Sequence, residues 1–252
     1  MTNDIRHFVG MDIGDAESVV AICSSDGHAE PTVIESARMP TLIAQRDRKA
    51  KPEIGYDAPR VKDPVELDVS FKCDPVAEYA QWRLSAGLVL VFIEELHQRV
   101  FAAHPELWDP HQVLIGCPVG WNAEAVRRYE ELFTDSPYLS TAVVVRESRG
   151  ALLQAWENVI DVPVLLDEPD GWLSHYRTIL TQLAHDPALA TTTILLTGGG
   201  AHIPQIVETT RRTLSGHTIQ ITTDPMTSVA KGLAVHGWLD HAVSQFEVEA
   251  KN

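Results

Sequence analysis

Two short apolar runs separated by a turn open the chain. Phe8–Ile13 and Ser18–Cys23 are each dominated by apolar residues, with Gly14 and Asp15 between them. Ser24-Ser25-Asp26-Gly27 is a strong turn signal, and Thr32–Glu35 reads as a third strand after it. An antiparallel meander is the expected start. From Arg38 to Asp74 the pattern loses its period and fills with Pro, Lys, Arg and Asp, which reads as a small inserted subdomain rather than core.

Periodicity returns at Pro75, a residue favoured in the first turn of a helix. Val76, Tyr79, Ala80, Leu84, Leu88, Val91, Phe92, Leu96 and Val100 recur at helical spacing until His104-Pro105 ends the run. Strands and helices then alternate. Gln112–Cys117 is a buried-type strand, Asn122 caps a helix to about Phe133, Thr141–Val145 is a strand, and Ser148–Val159 is helical. Val162–Leu166 is short and ambiguous. Trp172, Leu173, Tyr176, Ile179, Leu180 and Leu183 mark an amphipathic helix. The strand Thr192–Thr197 runs into Gly198-Gly199-Gly200, followed by a helix over Ile203–Leu214, a strand over Thr218–Thr222, a closing helix from Pro225 and a frayed tail from Val243. A meander followed by βα units implies an α/β fold with mixed sheets flanked by helices. The second half lacks a meander of its own. The predicted organisation is a first lobe over 1–160 with an insert at about 38–74, an incomplete second lobe over 161–242, and a tail over 243–252.

Composition narrows the function classes. A formal charge of -15 sets the chain against phosphate backbones and anionic lipid, so neither nucleic acid nor membrane is an expected partner. One bound nucleotide stays compatible, because a local nest of N–H groups holds phosphate against an unfavourable net field. Cys23, Cys73 and Cys117 are widely spaced without a CxxC, which suggests free thiols in a reducing cytosol rather than a zinc site. The longest apolar run, Leu88–Ile93, is too short to span a bilayer, and Met1–His7 lacks the apolar stretch of a signal peptide. A cytoplasmic protein is the expectation.

Five stretches could carry chemistry. In Gly10-Met11-Asp12-Ile13-Gly14, a carboxylate at a strand end beside a glycine turn can hold a metal-bound water; a plain hairpin accounts for the same residues. In Thr197–Pro204, three glycines between a strand and a helix admit a ligand to the backbone, and the helix N-terminus favours an anion. His202 there suits a flat ring or open solvent. Ile115–Asn122 places Pro118 after a buried strand, with Arg127 and Arg128 on the next helix. Val145–Leu152 sets Glu147 at a strand-to-helix edge, facing a cleft or favouring the helix dipole. Asp224-Pro225 through Ala234 starts a helix with a close-packed Ala/Gly face.

In order along the chain, these stretches resemble the nucleotide-binding domain of heat-shock-seventy chaperones within the actin-like ATPase (ribonuclease-H-like) superfamily. Val9–Gly14 resembles the first phosphate loop. Met39–Ile43 with Ile54–Ala58 looks like the start of the small subdomain. Cys117-Pro118 through Arg127 looks like the proline loop and its helix, and Arg146–Leu152 is similar to the glutamate-bearing junction. Leu195–Gly200 with Ile203-Pro204 looks like the adenosine loop, and Asp224–Ala234 matches the closing helix. The resemblance implies an ATP/ADP and Mg site between two lobes. Asp12 would orient Mg-bound water, Gly14 and Asp15 would face phosphate, Glu147 would help hold the metal shell, and Gly198, Gly199, Gly200 and His202 would border the adenosine. Asp12 and Glu147 would be the catalytic pair, and Pro118 and Arg127 would couple nucleotide state to shape.

The chain departs from that pattern in three places. Asp15-Ala16-Glu17 stands where hydroxyl residues are usual, so two carboxylates would lie beside a triphosphate. No Asp-x-Gly-Gly-Gly-Thr-like second phosphate loop is found; Val159–Pro163 sits roughly there without the glycines. No peptide-binding β-domain follows Trp238. Phosphoryl transfer is mostly positioning and charge stabilisation, so loss of one clamp implies slow or absent hydrolysis. The alternative is a non-catalytic interaction scaffold, able to cover its exposed faces by self-association. A sugar or acetate kinase is disfavoured, since no acceptor-site motif is present.

Overall fold

The computed structural model describes residues 5–25, 32–47, 50–64, 66–68, 71–108, 111–154, 172–189, 193–197, 201, 203–222 and 224–249. Strands β1 (His7–Ile13) and β2 (Glu17–Ser24) form the expected hairpin, paired antiparallel from His7 with Ser24 to Ile13 with Ser18. Two short strands lie against β2: β3 (Thr32–Val33), and β4 (Met39–Pro40) at its other end.

After Arg38 the chain is more ordered than its composition suggests. Strands β5 (Ile43–Gln45), β6 (Glu53–Ile54) and β7 (Glu66–Asp68) make a small antiparallel sheet in the order β6-β5-β7. Met39, Ile43, Ile54, Phe71 and Cys73 also join the principal hydrophobic core, so this polar stretch contributes core as well as surface. The apolar residues are too few and too scattered to show a period.

Helix α1 (Tyr79–Ala103) starts one turn later than the proline signal suggests. The Asp74 carboxylate accepts from the N–H groups of Val76 (2.7 Å) and Ala77 (2.8 Å), closing a capped turn ahead of the regular helix. Arg99 of α1 reaches Glu53, Asp57 and Glu95, each at 3.1 Å, and ties the small sheet to the helix. From α1 the chain crosses to β8 (His111–Cys117), which pairs parallel with β1; α2 (Ala123–Glu131) then leads to β9 (Val143–Arg146), parallel to β8. The sheet order is β3-β2-β1-β8-β9. Helix α3 (Glu147–Gln154) begins directly where β9 ends.

Both faces of β1 are covered, which explains its unbroken apolar run. Val9, Met11 and Ile13 share a core with Val89, Phe92, Ile93 and Leu96 of α1. On the opposite face, Phe8 packs with Ala230 and Ala234 of the last helix, α6 (Ser228–Glu249). Between these lie α4 (Trp172–Ala184), β10 (Thr193–Leu196), α5 (Pro204–Thr213) and β11 (Thr218–Ile221), the two strands being parallel. Leu180, Ile194 and Leu214 form a separate small core there. Helix α6 runs on to Glu249, past the point where the sequence suggests fraying.

Helix α6 lies unusually close to its neighbours. A Cβ added at Gly232 would stand 1.5 Å from the carbonyl oxygen of Gly150 on α3, and one at Gly10 would stand 2.2 Å from that of Ala230. Only glycine permits these backbone contacts. Gly232→Val is expected to destabilise the fold by about 1–3 kcal/mol or more. Thermal unfolding should show a midpoint lowered by roughly 2–12 °C. Gly120→Ala, where an added Cβ meets nothing within 4 Å, should leave the midpoint unchanged.

Candidate functional site

The ends of β1, β8 and β9 converge where the sequence places Asp12 and Glu147. Asp12 is half-buried near the end of β1. The turn that follows is closed by the Gly14 N–H donating to the Glu17 carbonyl at 3.1 Å; a side chain on Gly14 would lie 2.7 Å from that oxygen. Thr41 holds the same turn from beside β4. Its hydroxyl donates to the Gly14 carbonyl at 2.6 Å, its N–H donates to the Ala16 carbonyl at 3.0 Å, and Ser18 Oγ lies 2.8 Å from its Oγ1. Asp15 is exposed. Glu17 is not a bare charge facing the turn, because Arg38 Nε donates to it at 3.1 Å.

Glu147 is buried at the first position of α3. Gly116 of β8 makes room for it: a Cβ there would lie 3.0 Å from Glu147 Cγ. The sequence reading did not single out its partner, Lys72, which is also buried. Lys72 Nζ donates to Glu147 Oε1 at 3.1 Å and to the Ile13 carbonyl, and it sits 5.9 Å from the centre of the Trp121 ring. One ammonium therefore joins the β1 turn, the α3 start and the loop after β8.

This arrangement shifts the titrating groups. Burial and the negative charge of Glu147 push Asp12 up from an ordinary 3.8 to about 7; Lys72 pulls the other way and Glu17 adds a smaller push. Burial alone would lower Lys72, but the charges of Glu147, Tyr129 and Asp12, with the hydrogen bond to Glu147, together outweigh it and hold the ammonium above its usual range. Burial raises Tyr129 of α2, with Lys72 opposing and Glu147 adding to the rise; its hydroxyl has no hydrogen-bond partner among the described residues. Burial raises the Cys117 thiol to about 11, opposed by Arg146.

The proline loop is held by a residue the sequence left without a role. Arg146 Nη1 donates to the carbonyls of Pro118 (2.9 Å), Val119 (3.0 Å) and Trp121. Arg127 instead bonds Glu124 and Glu131 on its own helix and is exposed, so its contacts are local. Arg128 donates to the Pro75 carbonyl at 3.0 Å and lies over the Tyr79 ring.

Gly198, Gly199, Gly200 and His202 lie outside the described residues, as does 159–163, where the second phosphate loop was sought. Beside them, buried Thr197 contacts the Ser228 hydroxyl and accepts from Thr222 Oγ1 at 3.4 Å. Asp224 is bonded by Thr227 and Lys231; burial acts against its ionisation, but these bonds, with the charges of Lys231 and Arg38, hold it below its usual value.

No family model matches the sequence, and no curated protein matches it. Solved structures do. The chain is similar to MreB 5 of Spiroplasma citri bound to AMPPNP, at 11% identity over 98% of this chain and 99% of that one, with a TM-score of 0.58. It is also similar to a non-polymerising MamK mutant bound to AMPPNP and to MamK in a double helical filament, each at 12% identity over 92% of this chain and 98% of the other, with a TM-score of 0.57. These neighbours are actin-like ATPases, and the chain has their fold. The likeness is one of fold, and it does not single out the heat-shock-seventy branch. Among the described residues, no helix is long and apolar enough to cross a membrane.

Two outcomes test the site's electrostatics. Lys72→Met leaves the buried Glu147 charge unpaired and should cost about 3–5 kcal/mol, while Lys72→Met with Glu147→Gln should recover much of that loss; denaturant unfolding of the two variants reads the cycle. For Asp12, both the folded and the unfolded chain are protonated well below pH 3.8. Between there and pH 7 only the unfolded chain ionises, so stability falls as pH rises, then levels off above the folded value. Asp12→Asn removes this loss. The variant should gain stability over the parent between pH 5 and 8, most of it at the upper end, in denaturant titrations at both pH values.

Proposed function

We propose that the chain binds an adenine nucleotide with Mg²⁺ in the cleft at the ends of β1, β8 and β9, and that it hydrolyses the nucleotide slowly or not at all. The observation that carries this reading is the arrangement of half-buried Asp12 with the buried Lys72 and Glu147 side chains around the Gly14 turn. Two structural neighbours bound to AMPPNP support it, as does a third, MreB5 of Spiroplasma citri bound to ADP, at 12% identity over 90% of this chain and 94% of that one, with a TM-score of 0.54.

The donor set fits the cation. Asp12 and Glu147 offer hard carboxylate oxygens; burial and then the charge of Glu147 raise Asp12, and a divalent ion would relieve the repulsion between the two. No group of three or more His, Cys, Asp or Glu among the described residues is arranged to hold a metal directly. The proposed hold is therefore through water, with Asp12 as the orienting carboxylate. When bound, the cation would neutralise phosphate charge. Lys72 fixes the position of Glu147, the Gly14 turn offers backbone to the phosphates, and the arginine-held Glu17 presents less negative charge to them than its sequence suggests. Gly198 to Gly200 and His202 are proposed to border the adenosine.

A second reading follows from a different observation. The MamK neighbour forms a double helical filament, which favours self-association of this chain, with or without nucleotide turnover. The cytoskeletal sense of the fold suits this chain better than a chaperone role.

Calorimetric titration with ATP and ADP, with and without Mg²⁺, tests the main reading. Micromolar, Mg²⁺-dependent binding is expected. Affinity should rise by up to about tenfold per pH unit from pH 6 towards 7, because Asp12 must release its proton to hold the hydrated ion. Asp12→Asn should abolish both the Mg²⁺ dependence and this pH dependence. An absence of binding at millimolar nucleotide would sink the proposal.

A further inference from the structure

Helix α1 buries one side and leaves the other without a packed partner among the described residues. Trp82, Ser85, Val89, Phe92, Ile93, Leu96 and Val100 face the core. The outward face presents Ala80, Leu84, Gly87 and Val91, with Leu84 84% exposed. From Leu84 to Ile93 there is no ionisable side chain, in a protein of net charge -15. Gly87 stands near the middle of this face, and a Cβ there would meet nothing within 4 Å. An exposed glycine inside a helix is unfavourable, and this one has no packing reason among the described residues. It does let a second backbone approach closely.

We infer that this face of α1 pairs with the same face of a second copy, the two helices antiparallel and crossing at Gly87. The charges select that occupant. Arg83 and Glu94 flank the apolar stretch at opposite ends; Arg83 forms no ion pair among the described residues, and Glu94 accepts from the Ser136 hydroxyl through Oε1 at 2.5 Å but forms no ion pair there either. With a two-fold axis between Gly87 and Leu88, Leu84 meets Val91 of the partner copy. Arg83 then falls about 3 Å of helical rise from Glu94 of the partner copy, within side-chain reach, and the pair forms twice. The patch is neutral where the rest of the chain is acidic, so two copies meet here without the repulsion that opposes other encounters. The choice of a second copy rests on the self-association reading above; the surface rests on α1 itself.

Sedimentation velocity of the full chain across a wide concentration series, without nucleotide, tests both. The parent should dimerise with concentration. Leu84→Asp should weaken the dimer at least tenfold. Gly87→Arg should weaken it similarly while raising the thermal midpoint of the monomer, because it replaces an unsupported helical glycine in open space. Arg83→Glu and Glu94→Arg should each weaken the dimer, and the two together should restore it. A parent that stays monomeric throughout overturns self-association and this surface together. A dimer indifferent to Leu84→Asp and Gly87→Arg overturns the surface and leaves self-association standing. Failure of the paired reversal to restore a dimer weakened by each single change overturns the antiparallel register.

Discussion

Everything at the candidate site depends on how closely α6 lies against β1 and α3. Gly10, Gly150 and Gly232 remove the side chains that would hold these backbones apart. Because α3 begins at Glu147, the position of that carboxylate is set by the Gly150–Gly232 contact one turn further on. Because β1 carries Asp12, the same helix fixes the other acidic group from the opposite side of the strand. A packing constraint thereby becomes an electrostatic one: burial, and next the nearby charge of Glu147, raise Asp12, and Lys72 is buried between the elements that bear the two carboxylates.

The site was legible where chemistry coincided with a turn. Asp12, Gly14 and Glu147 sit at strand ends next to glycine or a helix start, and the topology brings those ends together. Lys72 was not legible. It lies in a stretch with no helical or strand period, among other charged residues, where a lysine reads as surface. The one signal was its flanking pair, Phe71 and Cys73, both of which prove buried. Arg146 was missed for a different reason: its partners are backbone carbonyls, which leave no trace in residue identity.

The fold was more legible than the site. The meander and the alternating units follow from continuous apolar runs bounded by turns, and such runs mean strands covered on both sides. The 38–74 stretch is the exception, because its contribution to the core comes through isolated residues rather than a face. Arg127, given a coupling role by resemblance, spends its bonds on its own helix, while Arg146 holds the loop that Arg127 was expected to influence.

The contact between Gly10 and Ala230 joins the first strand to the last helix. During synthesis, Phe8, Val19, Ala21 and Cys23 gain their cover only after α6 has left the ribosome. Until then the nascent β1–β2 hairpin carries an open apolar face, while its other face is already served by α1. Contacts so distant in sequence form late and expose the chain to aggregation in the interval. Docking of α6 is thus expected late in folding, and it covers the open face of the sheet and packs against α3 at the same moment.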